Sequence, residues 1–110
     1  MIGIYRIMNP AGASYIGQSV DIERRFKAYR KLRCRKQPKI YQSLRKFGVA
    51  NHRFEILVIC FEWQLDGFER YFQQLFNCTG KNGLNCKITK ENPIKNYQKL
   101  IKRISNHKRK

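Results

Sequence analysis

The sequence predicts a small domain of the α/β (α+β) class, in which three short strands alternate with helices. Three observations carry this. Residues 2–8 and 14–19 alternate apolar and polar side chains around a turn, NPAGA. Residues 53–59, RFEILVI, form an apolar run of strand length bounded by polar residues. Between and after these segments, apolar groups recur at helical spacing. With 110 residues the chain can bury one modest core but not two.

The elements follow in order. The two N-terminal strands are expected to form an antiparallel hairpin. Asp21 can cap a helix running from Ile22 to about Lys31. After the basic stretch RCRKQ, Pro38 opens a second helix through KIYQSLRKF, closed by Gly48. The run at 53–59 suits a strand covered on both faces. Residues 64–77, QLDGFERYFQQLFN, predict a third helix, although Gly67 weakens its start by about 1 kcal/mol relative to alanine. CTGKNG is a loop, and LNCKI reads as a last short extended piece. Asn92-Pro93 then opens an amphipathic stretch with Ile94, Tyr97, Leu100, Ile101 and Ile104 on one face and lysines on the other. The division expected is a domain over 1–90 followed by a basic amphipathic helix and tail over 91–110.

Charge narrows the partners. Lys and Arg number 24 against 7 Asp and Glu, for a net charge of +17. Such an imbalance repels itself unless a polyanion neutralises it. Nucleic acid is the leading partner and an anionic membrane surface the second. No apolar run approaches the roughly 20 residues of a spanning helix. MIGIYRIMNP lacks the pattern of a secretory signal, so an intracellular, DNA-associated protein is expected. Cys34, Cys60, Cys78 and Cys86 contain no CxxC pair, which argues against structural zinc. Reduced thiols are expected, with Cys60 in the core. Among Arg24–Lys36, eight of thirteen residues are basic: Arg24, Arg25, Lys27, Arg30, Lys31, Arg33, Arg35 and Lys36. All but Arg25 are candidate backbone contacts to DNA, which position a duplex without reading its sequence.

Polar residues also fall where a core should be. Arg25 shares the buried face with Ile22, Phe26 and Tyr29, where it either points inward or snorkels from the edge. Glu69 lies inside the stripe of Leu65, Phe68, Phe72, Leu75 and Phe76. A carboxylate there must be protonated, paired with a cation or bound to a metal. Tyr5 and Tyr15 would meet beside Gly17 if the hairpin register brings their faces together. His52 reads as a surface residue before the third strand and His107 as part of the tail.

These residues resemble the GIY-YIG nucleases. Gly3-Ile4-Tyr5 is followed ten residues later by Tyr15-Ile16-Gly17, the family signature. Arg25 in DIERRF matches the arginine of the first helix, and Tyr29 takes a position where members carry histidine or tyrosine. Glu69 in GFERYF matches the metal-binding glutamate, and Gly83-Leu84-Asn85 matches a late Gly-x-Asn. The resemblance spans residues 2 to about 86. It implies a three-stranded antiparallel sheet flanked by helices and a metal-dependent DNA endonuclease of homing, mobile-element or phage type. A restriction or repair nuclease of the same chemistry, and a silent basic binding module, are the alternatives.

By resemblance, Glu69 holds one divalent ion, Mg²⁺ or Mn²⁺, and Arg25 grips a non-bridging phosphate oxygen. Tyr5 is the candidate general base, with Tyr29 sharing that role, and Tyr15 orients water or phosphate. Asn85 braces the site and Gly17 permits close approach. No appended DNA reader is visible, so the chain is expected to borrow specificity from a partner protein, to recognise a structure or short site by itself, or to be a piece of something longer; a double-strand break needs a dimer, a repositioned monomer or sequential nicks.

Overall fold

A computed structural model describes residues 1–90; the amphipathic stretch expected over 91–110, His107 included, lies outside the described residues. The hairpin forms as the alternation predicts. Strand β1 (Gly3–Met8) pairs antiparallel with β2 (Ser14–Ser19), joined by a tight turn in which Asn9 Oδ1 accepts from the Ala13 amide at 2.9 Å. Helix α1 covers Ile22–Arg30, and the Asp21 carboxylate accepts from the Arg24 amide. Helix α2 covers Pro38–Phe47 and stops at Gly48, whose φ of 87° is a left-handed conformation suited to glycine. After a single 3₁₀ turn comes β3 (Arg53–Ile59), antiparallel to β1. A second 3₁₀ turn leads into α3 (Leu65–Leu75).

The strand order is β2-β1-β3, with β1 central. One face of the sheet gives Tyr5 and Ile7 to a core with Ile22, Phe26 and Tyr29 of α1 and Ile40 and Leu44 of α2. The other gives Ile4 and Ile16 to a core with Leu65 and Cys78, flanked by Phe68, Phe72 and Phe76. Helices thus cover both faces, and α3 lies alone on the second.

Several expectations are corrected. The apolar run of β3 is not covered on both faces: β3 is an edge strand without a fully buried residue, and Ile59 is 54% exposed. A continuous apolar run does not distinguish a central strand from an edge one. Residues 84–88 form no strand; the Leu84 amide donates to the Ser14 carbonyl, but the contact with β2 is completed by a side chain, so no ladder propagates. Leu75 faces outward at 58% exposure, because the buried line of α3 runs through Leu65, Glu69 and Gln73. Cys60 is only partly buried, and all four cysteines are free thiols. His52 is not a surface residue. It is 8% exposed, its Nδ1 bonded to the Gly48 carbonyl at 2.7 Å and its Nε2 to Ser43 Oγ at 2.8 Å.

Candidate active site

The hairpin register sets the first half of the site. Tyr5 lies opposite Gly17 and Ile7 opposite Tyr15, so both phenols project from one face of the sheet. Their ring centroids are 6.2 Å apart. Gly17 is a steric requirement, since a Cβ there would fall 2.3 Å from the Tyr5 hydroxyl oxygen. Tyr29, from the buried face of α1, completes a triangle with centroids 5.8 Å from Tyr5 and 5.9 Å from Tyr15. The Tyr5 and Tyr29 hydroxyls are 2.8 Å apart, and Tyr29 donates to Gln37 Oε1 at 2.8 Å. Tyr29 has a single proton and spends it on Gln37, so Tyr5 donates to Tyr29. The Tyr5 oxygen keeps its lone pairs.

Glu69 supplies the second half, from the opposite face. It is 8% exposed, on a helix whose deepest residues include two polar ones, Glu69 and Gln73. Gln18 Nε2 of β2 donates to Glu69 Oε1 at 3.3 Å and to Asp66 Oδ1 at 2.9 Å. The Thr89 hydroxyl also donates to Glu69 Oε1. Both hydrogen bonds therefore fall on one oxygen, and Oε2 accepts none among the described residues. Glu69 also forms no ion pair among the described residues, so a buried Arg–Glu pair is not what compensates it.

The halves meet at the free edge of β2. A cleft of about 530 Å³ is lined by Tyr15, Ile16, Glu69, Gln73 and Asn85, with Lys36, Lys87 and Lys90 among its basic walls. Asn85 closes the edge as a strand would: its side-chain Oδ1 accepts from the Ile16 amide and its Nδ2 donates to the Ile16 carbonyl, each at 2.8 Å. Gly83 permits the turn, as a Cβ there would lie 1.9 Å from the Cys78 carbonyl oxygen.

Arg25 is exposed rather than inward-pointing, because Ile22, Phe26 and Tyr29 fill the buried face of α1 and leave it at the rim. It makes no hydrogen bond or ion pair among the described residues, yet its charge acts on Tyr5, Tyr15, Tyr29 and Glu69. Arg25 lines a second groove of about 320 Å³ with Tyr29, Arg33, Arg35, Lys36 and Gln37. Lys36 belongs to both spaces. Arg24, Lys27 and Lys31 are exposed on or just after α1, outside both linings. Arg30 stacks on Phe26 and Phe54 at 5.8 and 5.0 Å.

Electrostatics distinguish the two halves. Burial pushes the Tyr5 phenol well above its ordinary range, reinforced by Tyr15, and the Arg25 charge opposes this only in part. Burial does the same to Tyr15 and Tyr29. All three are neutral phenols at neutral pH. Burial also raises the Glu69 carboxyl, Asp66 adds to it, and the hydrogen bonds from Thr89 and Gln18 with the Arg25 charge pull it back. A buried carboxylate that forms no ion pair among the described residues and has one oxygen accepting no hydrogen bond there is suited to a hard divalent ion, which prefers oxygen ligands. Among the described residues no group of three or more His, Cys, Asp or Glu side chains could hold a metal, so protein and substrate oxygens of other kinds would complete its shell.

Four contributors escape the sequence reading: Gln18, Gln37, Gln73 and Thr89. Each is a lone polar residue without a motif, and only tertiary proximity gives it a role.

Among curated protein sequences none matches the chain. The fold is similar to a solved structure, the catalytic domain of intron endonuclease I-TevI in a glutamate-to-alanine mutant. The TM-score is 0.65 at 24% identity, covering 83% of this chain and 98% of that one. The model of the GIY-YIG catalytic domain family matches residues 1–85, which include Tyr5, Tyr15, Arg25, Tyr29, Glu69 and Asn85. The chain belongs to the GIY-YIG catalytic domain family.

Proposed function

We propose that this nuclease domain is a divalent-metal-dependent endonuclease that hydrolyses phosphodiester bonds in DNA, of homing, mobile-element or phage type. The observation that carries the proposal is Glu69: a nearly buried carboxylate, in a chain of net charge +17, held among the described residues only by neutral donors, in a cleft that Tyr15 also lines. A cation in that place relieves the cost of burying the charge. The likeness of the fold to the catalytic domain of an intron endonuclease favours the mobile-element type.

Glu69 would hold one Mg²⁺ or Mn²⁺ through its carboxylate. When bound, that ion supplies Lewis-acid stabilisation of the leaving 3′ oxygen and of the charge on the phosphate. Arg25, at the rim and without a protein partner among the described residues, binds a non-bridging phosphate oxygen by charge-assisted hydrogen bonds. Tyr5, its proton committed to Tyr29, presents lone pairs that accept from and orient the attacking water. Its further role as base requires phenolate character, which positive charge promotes against burial. Tyr15 borders the Glu69 cleft and positions water or phosphate. Arg33, Arg35 and Lys36, gathered beside Arg25, bind backbone phosphates, while Arg24, Lys27, Arg30 and Lys31 extend the positive surface. Sequence selection and a double-strand break would draw on a partner protein or a second copy, since one such site cuts one strand.

Supercoiled plasmid is the test. With Mg²⁺ or Mn²⁺ the protein converts it to open circle or linear DNA, and EDTA stops the conversion. Binding without cleavage under every metal condition would favour a silent binding module and contradict the proposal.

A further inference from the structure

The family match ends at residue 85, and the next five residues close one wall of the cleft. Thr89 is fixed there at two points. Its amide donates to Gln73 Oε1 at 2.8 Å, and its hydroxyl donates to Glu69 Oε1. Glu69 and Gln73 are one turn apart on α3, and Gln73 is 2% exposed, so a rigid helix face holds this threonine beside the carboxylate.

Two lysines, Lys87 and Lys90, flank Thr89 in sequence and line the same cleft. Neither pairs with Glu69 among the described residues. A segment built to neutralise the carboxylate would deliver one of those ammonium groups. This one delivers a neutral hydroxyl, which satisfies a lone pair and leaves the negative charge in place. A hydroxyl has two acceptor lone pairs besides its proton. It can therefore donate to Glu69 in the free protein and turn a lone pair to a hard cation on the same carboxylate.

We propose that Thr89 Oγ1 is a second protein ligand for the divalent ion, supplied by the segment 86–90 beyond the matched domain. This inference rests on the metal reading of Glu69 given above. It makes the site a carboxylate–hydroxyl pair, with Gln73 as the positioning residue that holds Thr89 in place.

The test is Mn²⁺ alone, titrated against the full chain without DNA and followed by electron paramagnetic resonance. Thr89→Val, which keeps the shape and loses the hydroxyl, is expected to weaken Mn²⁺ binding about tenfold, and Thr89→Ser to stay within about twofold of wild type. Glu69→Gln abolishes binding. Unchanged or tighter binding in Thr89→Val overturns the role of Thr89 while leaving that of Glu69 intact. Wild-type binding in Glu69→Gln overturns the metal reading itself. A measurement on the unaltered protein guards against misfolded variants: in a Mg²⁺ titration by NMR, the Thr89 methyl and amide signals shift with the dissociation constant found for Glu69. Thr89 signals that stay fixed while Glu69 responds would also overturn the proposal.

Discussion

Two buried polar clusters in this protein have similar ingredients and opposite characters. In the first, Asn9 Nδ2 donates to Ser43 Oγ at 3.1 Å, Ser43 bonds His52 Nε2, and His52 Nδ1 reaches the Gly48 carbonyl. Every group is neutral or can be, each has a partner, and no residue of the trio lines either cleft. In the second, Tyr5, Tyr29 and Gln37 form an equally ordered chain, but Glu69, from the opposite face of the sheet, carries charge that its neutral partners among the described residues do not cancel. A serine–histidine pair at hydrogen-bond distance looks more like catalytic machinery than a glutamate among phenylalanines does. Here it ties the end of α2 to the start of β3. Burial of polar groups therefore does not identify a site; uncompensated charge open to a cleft does.

The largest effect should come from removing that charge. Glu69→Gln is expected to lower metal-dependent plasmid cleavage about a thousandfold, with DNA binding retained in a gel-shift assay. Near-wild-type cleavage would erase the distinction between the clusters. Tyr5→Phe should lower cleavage about a hundredfold, because it removes the hydroxyl that orients water. Since burial holds the Tyr5 phenol above its ordinary range, the wild-type rate should climb with pH through the mildly alkaline region without a plateau. The Tyr5→Phe profile should be flatter.

The closed cluster should answer in stability alone. His52→Ala leaves Ser43 without its acceptor and is expected to cost about 1–3 kcal/mol in urea unfolding, with cleavage per folded molecule unchanged. A loss of cleavage beyond the unfolded fraction would make the first cluster functional after all.

The smallest effect is a pH dependence measured in EDTA. The Glu69 carboxyl is raised by burial in the folded chain from an ordinary value of 4.5, so the folded state binds its proton more tightly than the unfolded state. Its contribution is most favourable below that ordinary value and is lost as pH rises through the folded one. Glu69→Gln should therefore melt higher than wild type at neutral pH, and the gap should narrow as pH falls toward 4.5. A gap that widens on acidification would show that Glu69 is compensated in the folded protein.

Much of this was legible in the chain because local chemistry and tertiary structure agree. Alternation around NPAGA fixes the hairpin, Asp21 and Pro38 mark helix starts, and Gly48 marks an end, all at the positions the structure shows. Glu69 was legible because a carboxylate on an apolar stripe conflicts with the pattern around it. Arg25 lay at the margin of its stripe, where periodicity does not decide between rim and interior. The edge position of β3 was hidden because strand order is set by pairing, not by composition. His52 was hidden for a related reason, since its partners Ser43 and Gly48 precede it across the turn between α2 and β3. Gln18, Gln37, Gln73 and Thr89 carry no local signal, and their roles exist only where α1, α3 and the edge of β2 converge.

The central claim is that Glu69 is held ready for a cation it does not find among the described side chains. Crystals grown with Mn²⁺ and measured at the manganese absorption edge test it most directly. The account predicts one anomalous peak about 2.1–2.2 Å from a Glu69 carboxylate oxygen, a distance set by the small size of such hard cations. A lysine or arginine side chain seated on Glu69, with manganese elsewhere or absent, would contradict it.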